Sequence, residues 1–202
     1  MPSSIQQQYR EQNVPAAALR ATLGPCQFKA GDSKSGETPF ETLARSAQPV
    51  EHWYWGAIYH DFQGMKRGPK IAIDYCHRED EVIGRGDSFT VDDDGLHIAG
   101  ALIHGHEGDR VDQVTRNAAK GVPYQASIDF RGAMTAEEVP AGMTAQVNGR
   151  TVAGPALIIR QWTLRGLAIC PHGMDPNTSA QMTQDGNEHV VRIFSAGETM
   201  PK

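Results

Sequence analysis

The sequence predicts a mainly β domain built from antiparallel strands with few helices. Three observations support this fold class. Between residues 50 and 169, short segments alternate apolar and polar side chains, turn residues separate these segments, and one stretch alone has helical spacing. The 202 residues suit one ordinary domain, and a hydrophobic content of 39% before glycine is counted argues against wholesale disorder.

The first strands of this domain are expected between residues 52 and 103. The segment HWYWGAIYH opens the domain with three large aromatic residues, and KIAIDY places Ile71, Ile73 and Tyr75 on one face. The segment SFTVDDDGLHIAGALI then predicts two strands joined by a turn around residues 93 to 95, because Asp-Gly pairs favour tight hairpin turns.

One amphipathic helix is expected between Asp109 and Lys120. Asp109 is a suitable N-cap, and Gly121 supplies the residue that commonly ends a helix. Val111 and Val114 begin a series of apolar residues at helical spacing. A helix this short and amphipathic should pack on the outside of the sheet.

The segment VPYQASIDF resumes the strands and separates two kinds of side chain. The core face is expected to carry Tyr124, Ala126, Ile128 and Phe130. The other, polar face is expected to carry Gln125, Ser127 and Asp129. Packing alone would accept threonine or valine in place of Ser127, but a serine in a strand is by itself only a weak indication of chemistry.

The last part of the domain contains a second hairpin and a long strand. Asn148-Gly149 predicts a type I′ turn. It leads into PALIIRQWTLRGLAICP, whose aliphatic run predicts one long or bent central strand. Beyond Pro176 the chain becomes polar, and only VVRIF at residues 190 to 194 suggests another strand.

These patterns divide the chain into a domain and two flanking segments. Residues 1–49 mix Gln, Ser, Pro and Gly, and are expected to form a partly disordered arm with at best one short helix. The domain is expected over residues 50–180, and a C-terminal tail over 181–202. Both flanking segments are expected to be mobile and open to self-cleavage, because their composition does not favour a buried core.

Composition also narrows the classes of partner and compartment. The net charge of −5 and the lack of Lys/Arg blocks argue against nucleic acid as the main partner. The N-terminus lacks the pattern of a signal peptide, and no apolar run reaches the roughly 18 residues of a membrane span. Three widely spaced cysteines favour a reducing compartment over a disulfide framework. A soluble, cytoplasmic protein is therefore expected.

Two groups of residues suggest metal binding, and both also have simpler explanations. His104 and His106 lie with Glu107 and Asp109 just before the expected helix, but no further ligand follows at zinc-finger spacing. Two Cys/His pairs offer a tetrahedral zinc site, formed by Cys76, His77, Cys170 and His172. Adjacent residues of a strand point to opposite faces, which weakens that second alternative.

Three segments together resemble the prohead, or capsid maturation, proteases of tailed phages. They are WYWGAIYHDFQGMKRGPKIAIDYCHREDEVIGR, GVPYQASIDF and IIRQWTLRGLAICPHGMDPNTS. In that family a His follows a strand, a Ser lies about 50 residues later in an xxSIxF-like strand, and a third strand comes last. His77 and Ser127 match the first two features. The resemblance covers residues 50 to 180 and implies the fold of the herpesvirus assemblins, a closed antiparallel β-barrel with a few surrounding helices.

The resemblance implies a serine endopeptidase that acts inside the phage procapsid in the host cytoplasm. Its expected substrates are the scaffold protein, the N-terminal segment of the major capsid protein, and itself. Ser127 would be the nucleophile and His77 its general base. By the same resemblance Gly173 and Met174 are candidates for an oxyanion loop, and Arg165 for a nearby positive charge. No cofactor or metal is expected, and a homodimer is an open possibility.

The third catalytic position departs from the family pattern. Gly166 stands where an assemblin has a second histidine and many phage proteases have an acid, and glycine cannot orient an imidazole. The nearby acids in sequence, among which the sequence does not choose, are Asp74, Glu79, Asp80, Asp129 and Asp175. The sequence therefore leaves three alternatives open: a Ser-His protease, a catalytically silent capsid-assembly or scaffold protein of the same fold, and the zinc-binding module.

Overall fold

The computed structural model describes residues 10–15, 20–28, 36–52, 55–171 and 188–195. Within these ranges the chain forms fourteen strands, one α-helix and a 3₁₀ turn at Phe62–Gly64. The strands are β1 (Arg10–Pro15), β2 (Arg20–Phe28), β3 (Glu37–Ser46), β4 (Val50–His52), β5 (Gly56–His60), β6 (Met65–Tyr75), β7 (Arg78–Val91), β8 (Gly95–Ile103), β9 (Gln125–Asp129), β10 (Met134–Val139), β11 (Thr144–Val147), β12 (Arg150–Ala153), β13 (Ala156–Cys170) and β14 (Glu188–Ser195). The helix, α1, spans Arg110–Ala119. No helix in the described ranges has the length and apolar character needed to cross a membrane.

Twelve of the strands belong to one sheet. Its hydrogen-bonded order is β1-β14-β10-β13-β6-β7-β8-β3-β2-β9, with β4 and β5 attached beside β13 and with a further pairing between β9 and β13. Strands β11 and β12 form a separate hairpin. The long strand β13 therefore contacts β10, β5, β6 and β9, and it organises the middle of the fold.

The prediction of a closed antiparallel barrel surrounded by a few helices is wrong. The large sheet is mixed, because β13 pairs in parallel with β5 and β6, and β10 pairs in parallel with β14. The twelve strands are not closed into a barrel, since their order ends at β1, which among the described strands pairs only with β14. The structure is mainly β, which agrees with the broader part of the fold prediction. Alternating side chains indicate a strand but carry no information on the direction of its partner.

The region expected to be an N-terminal arm contributes three strands to the sheet. Strand β3 pairs with β8 from Glu37 to Ser46, and its residues Phe40, Thr42 and Ala44 are buried. The expectation of at most a short helix before residue 50 is therefore corrected. Threonine, proline and alanine hid the alternation in this strand, because none of them is a strongly hydrophobic residue.

Several local predictions are confirmed. Helix α1 has Asp109 as its N-cap, with the carboxylate accepting a hydrogen bond from the Asp112 amide at 2.8 Å. Val111 and Val114 bury the apolar face of the helix. Strand β14 includes the predicted VVRIF segment. The aliphatic run before Cys170 forms one strand of 15 residues, as expected of a long central strand.

Arg45 is a fully buried cation in the core beneath β4 and β5. Its guanidinium donates to the carbonyl oxygens of Ser46, Gln48 and Ile58, and its Nε donates to Nδ1 of His60 at 3.0 Å. Burial lowers the pKa of Arg45 to about 9. His60 is buried and packs edge-on against the ring of Trp162, so this histidine belongs to the core.

Candidate active site

His77 lies in a tight turn whose backbone does not suit its sequence. Strand β6 ends at Tyr75 and pairs there with Arg78, the first residue of β7. Both residues between them are left-handed, with φ angles of 58° at Cys76 and 59° at His77. A two-residue turn with positive φ at both positions is favoured by Asn-Gly, and other L-residues raise its free energy by about 1–2 kcal/mol each. The turn therefore keeps a strained pair of residues beside the candidate site.

Ser127 lies in the middle of β9, between strands β2 and β13. Its register partners are Thr22 on β2 and Ala168 on β13. The sequence predicted a polar face at this position, whereas the side chain is fully buried with 0% exposure. A buried hydroxyl group needs a hydrogen-bond partner, because leaving it unpaired costs about 1–3 kcal/mol.

The structure brings His77 and Ser127 into direct contact. Nε2 of His77 lies 2.7 Å from Oγ of Ser127, although 50 residues separate them in the chain. Strand β6, which ends two residues before His77, and strand β9, which contains Ser127, both pair with β13. Tyr75 aligns with Ile169, and Ser127 aligns with Ala168. Strands β6 and β9 are thus two strand spacings, about 10 Å, apart. The His77 side chain bridges this gap from the end of β6.

Two rows of residues form a shared face across β6, β13 and β9, which we call the dyad face. One row contains Asp74, Ala168 and Ser127, and the other contains Ala72, Gly166 and Asp129. Register partners project to the same side of a sheet. The middle strand thus contributes only Ala168 and Gly166 to these rows, and such small residues leave room above it for an imidazole.

Gly166, the residue expected to align with the family's third catalytic group, lies directly beside an acid. Its register partner on β9 is Asp129. An added Cβ at Gly166 would meet only the carbonyl oxygen of Ala72, at 3.4 Å. Asp129 is also two residues from Ser127, so both project to the dyad face. A carboxylate therefore lies on the strand next to the position where the resemblance expects a third group.

Asp129 is held in its ionised form by a buried arginine. Nε of Arg131 lies 3.0 Å from each carboxylate oxygen, and the Arg131 amide donates to Oδ1 at 3.1 Å. Burial alone would raise the pKa of Asp129, but the Arg131 hydrogen bonds, the Arg131 charge and the His77 charge together hold that pKa below its usual range. The Arg131 interactions are thus the main reason why this buried carboxylate stays ionised, and the His77 charge adds to them.

Arg131 is a residue that the sequence interpretation missed. It lies 8% exposed, and its guanidinium also pairs with Glu79. Hydrogen bonds to Asp129 are the main reason why the pKa of Arg131 lies above its usual range. The available signal in the sequence was the position of Arg131 only two residues after Asp129, close enough for the two opposite charges to pair.

The other acids considered for the third position are placed less suitably. Glu79 and Asp80 have side chains that are 68% and 77% exposed, and they pair with Arg131 and Arg78 respectively. Asp74 lies on the dyad face, but on the far side of β13 from Ser127. Asp175 lies outside the described residues, as do Gly173 and Met174, the oxyanion-loop candidates.

Arg165, the third oxyanion candidate, is exposed at an irregularity of β13. The pairing of β13 with β6 shifts between Leu164 and Gly166, and Arg165 lies at this bulge. Its position is three residues before Ala168, the register partner of Ser127. The described residues give it no contact with the His77–Ser127 pair.

The structure does not bring together either of the two sets of metal ligands that the sequence suggested, among the residues it describes. Ligand atoms close enough to share an ion are found, among the described residues, in His104, Asp109 and Asp112. Asp109 caps helix α1, and the His104 ring bonds to Thr38 at 2.8 Å and faces Asp112 at 3.3 Å. In the zinc alternative, His77 is directed to Ser127 and His172 lies outside the described residues.

Comparisons with protein-family models, with curated proteins and with solved structures found no match to this chain. The resemblance to prohead proteases thus remains a prediction from the sequence. Any function must be inferred from the geometry of His77, Ser127 and Asp129.

Proposed function

We propose that this chain is a serine endopeptidase in which Ser127 is the nucleophile and His77 the general base. The observation that carries the proposal is the 2.7 Å contact between His77 Nε2 and Ser127 Oγ. Hydrogen-bond reach between a hydroxyl and an imidazole is the first geometric requirement of such catalysis. The strained turn that presents His77 adds support, because strained backbone clusters at functional sites.

The proposed reaction is acyl transfer through a covalent intermediate. Oγ of Ser127 attacks the carbonyl carbon of the scissile peptide while its proton passes to Nε2 of His77. The tetrahedral intermediate then collapses, and the His77 proton passes to the leaving amine. Water attacks the resulting ester with His77 again as the base, which releases the new carboxyl group and restores the Ser127 hydroxyl.

Asp129 is the group best placed to assist His77. Its carboxylate shares the dyad face with Ser127, is ionised, and interacts with the His77 charge. A fixed negative charge near the imidazole stabilises the imidazolium that forms when His77 takes the proton. We therefore assign Asp129 the role of a positioning residue, in place of the group that Gly166 cannot supply.

Capsid maturation is the biological setting that we propose for this chemistry. It rests on the sequence resemblance of residues 50 to 180 alone. The substrates would be the scaffold protein, the N-terminal segment of the major capsid protein and the protease itself, inside the procapsid of an infected cell. A homodimer belongs to the same proposal.

The burial of Ser127 favours one alternative function. A side chain with 0% exposure is reached by a polypeptide substrate only after neighbouring segments move aside. A catalytically silent assembly protein that keeps this fold would need no such movement. The hydrogen bond between His77 and Ser127 would then serve only to pair a buried hydroxyl group.

Substitution of the nucleophile separates these two functions. The protein is co-expressed with its scaffold and capsid proteins, and the wild type is compared with Ser127→Ala and with Ser88→Ala, which changes an exposed strand serine. We expect cleaved scaffold with the wild type and with Ser88→Ala, and intact scaffold with Ser127→Ala. Equal processing by all three proteins, or processing by none, would contradict the protease proposal.

A further inference from the structure

Cys76 and Cys170 stand side by side at the ends of two paired strands. Tyr75 and Ile169 are register partners of β6 and β13; Cys76 follows Tyr75 as the first residue of the turn, and Cys170 follows Ile169 as the last residue of β13. The amide of Cys76 donates to the carbonyl oxygen of Ile169 at 3.2 Å, and its Sγ lies 3.9 Å from the same oxygen. Neighbouring strands are about 4.8 Å apart, and a disulfide accepts Cα separations of roughly 4.4–6.8 Å.

The two thiols also differ in acidity. A hydrogen bond from Cys170 is the main cause that lowers the pKa of the Cys76 thiol, against the opposing effect of burial. The same contact, with burial, raises the pKa of Cys170. Cys76 is half-buried and Cys170 is buried, and neither forms a disulfide. One thiol is therefore accessible and the more acidic, while the other is buried beside it.

We propose that Cys76 and Cys170 form a reversible disulfide site that is oxidised by a low-molecular-weight disulfide such as oxidised glutathione. The Cys76 thiolate attacks one sulfur of that molecule, and a glutathione thiolate leaves. Cys170 then loses its proton and attacks Sγ of Cys76, which forms the protein disulfide and releases a second glutathione thiolate. Two protein thiols are oxidised, and one glutathione disulfide is reduced to two thiols.

The site lies where it can act on the proposed catalytic pair. Cys76 immediately precedes His77 in a turn of two residues, so a bond from Cys76 to β13 constrains the backbone that holds the imidazole. We expect the disulfide to weaken the contact between His77 and Ser127. This consequence rests on the proposed function, whereas formation of the disulfide does not.

The test uses the full-length, reduced protein in glutathione buffers of increasing oxidation. Peptide mapping by mass spectrometry without reductant is expected to find the Cys76 and Cys170 peptides linked, with the loss of two hydrogens, and dithiothreitol should reverse the link. In Cys170→Ala, Cys76 should instead carry a stable mixed disulfide with glutathione. In Cys76→Ser, Cys170 should stay unmodified. Cys26→Ser is the matched control and should keep the link.

Two results would overturn the proposal. One is the absence of a Cys76–Cys170 link in the most oxidising buffer, and the other is a link that appears only in denaturant. Thermal melting of each variant shows that the comparison is made on folded protein. Labelling of Ser127 by a fluorophosphonate then tests the consequence: we expect slower labelling of the oxidised protein and no such change in Cys170→Ala. Equal labelling of both forms would overturn control by the disulfide, and no labelling of reduced protein would count against the serine protease alone.

Discussion

Two hairpin turns in this molecule share a backbone conformation but not a sequence. The β6–β7 turn has Cys76 and His77 at its two left-handed positions, and the β11–β12 turn has Asn148 and Gly149 there. Asn-Gly is the pair that this turn favours, whereas Cys-His is not. The same backbone is therefore adopted once with the local sequence preference and once against it.

The side chains of the two turns explain the difference. Asn148 serves the fold, since its amide group accepts from the Phe62 amide at 3.0 Å and donates to the His60 carbonyl oxygen at 2.8 Å. His77 reaches across β13 to a buried hydroxyl group. A turn that obeys its preference contributes stability, and a turn that violates it points to a requirement of chemistry.

The strongest test of the difference between the two turns exchanges their second left-handed residues, His77 and Gly149. His77→Gly should reduce proteolysis by roughly ten-thousand-fold, because Ser127 loses its general base. Gly149→His should leave proteolysis unchanged and lower the free energy of unfolding by about 1–2 kcal/mol, since an L-residue replaces glycine at positive φ. No atom lies within 4 Å of a Cβ added at Gly149, so a clash does not contribute.

Scaffold cleavage and urea unfolding measure these two effects. Both variants change one left-handed residue of a two-residue turn, so each is the control for the other. Loss of cleavage in Gly149→His, or retention of cleavage in His77→Gly, would remove the functional distinction between the turns.

A smaller effect is expected from the charge beside the imidazole. Asp129→Asn should lower activity by roughly ten- to a hundredfold, part of the 10²–10⁴-fold that general base catalysis supplies. Wild-type activity should rise with pH as His77 loses its proton, because only neutral imidazole is a base. Removal of the Asp129 charge disfavours imidazolium, so the midpoint of that rise should move down by roughly one pH unit.

The folding of this variant needs its own control. Asp129→Asn removes one of the two ion pairs that the described residues show for Arg131 and keeps the one with Glu79, and breaking a buried pair costs about 3–5 kcal/mol. The double variant Asp129→Asn/Arg131→Gln removes both charges and should show the same movement of the midpoint. An unmoved midpoint in both proteins would make Asp129 a structural residue only.

The ion pair between Asp129 and Arg131 also affects the stability of the fold in acid. Because the folded state lowers the pKa of Asp129, the pair stabilises the fold above the pKa of the unfolded chain, and this contribution is lost as pH falls through the folded pKa.

Local features of this molecule were predictable from the sequence to the extent that they depend on neighbouring residues. The Asp109 cap, the Asn148-Gly149 turn and the strand around Ser127 follow from residue preferences over a few positions. The pairing of His77 with Ser127 came from the resemblance to a family, and the contact is present. Its role in catalysis stays a prediction.

Features that depend on which strands become neighbours were not predictable. The parallel pairing of β13 with β6, and the register that puts Gly166 beside Asp129, join segments far apart in the chain. Strand β3 was missed because Thr42 and Ala44 conceal its buried face. The left-handed backbone of His77 was also hidden, since nothing in Cys-His favours a tight turn.

The smallest predicted effect separates the backbone strain of the β6–β7 turn from the proposed role of His77. Cys76→Asn keeps His77 and puts at φ 58° a residue that tolerates this conformation. We expect the free energy of unfolding to rise by about 0.5–1 kcal/mol, equivalent to a melting temperature roughly 1–4 °C higher, with cleavage unchanged. Asn148→Cys is the reverse substitution and should lower the free energy of unfolding by more than Cys76→Asn raises it, because it removes two hydrogen bonds in addition to introducing strain. If Cys76→Asn melts at or below the wild-type temperature, the contacts of Cys76 with β13 offset the strain, and Cys76 stabilises the turn.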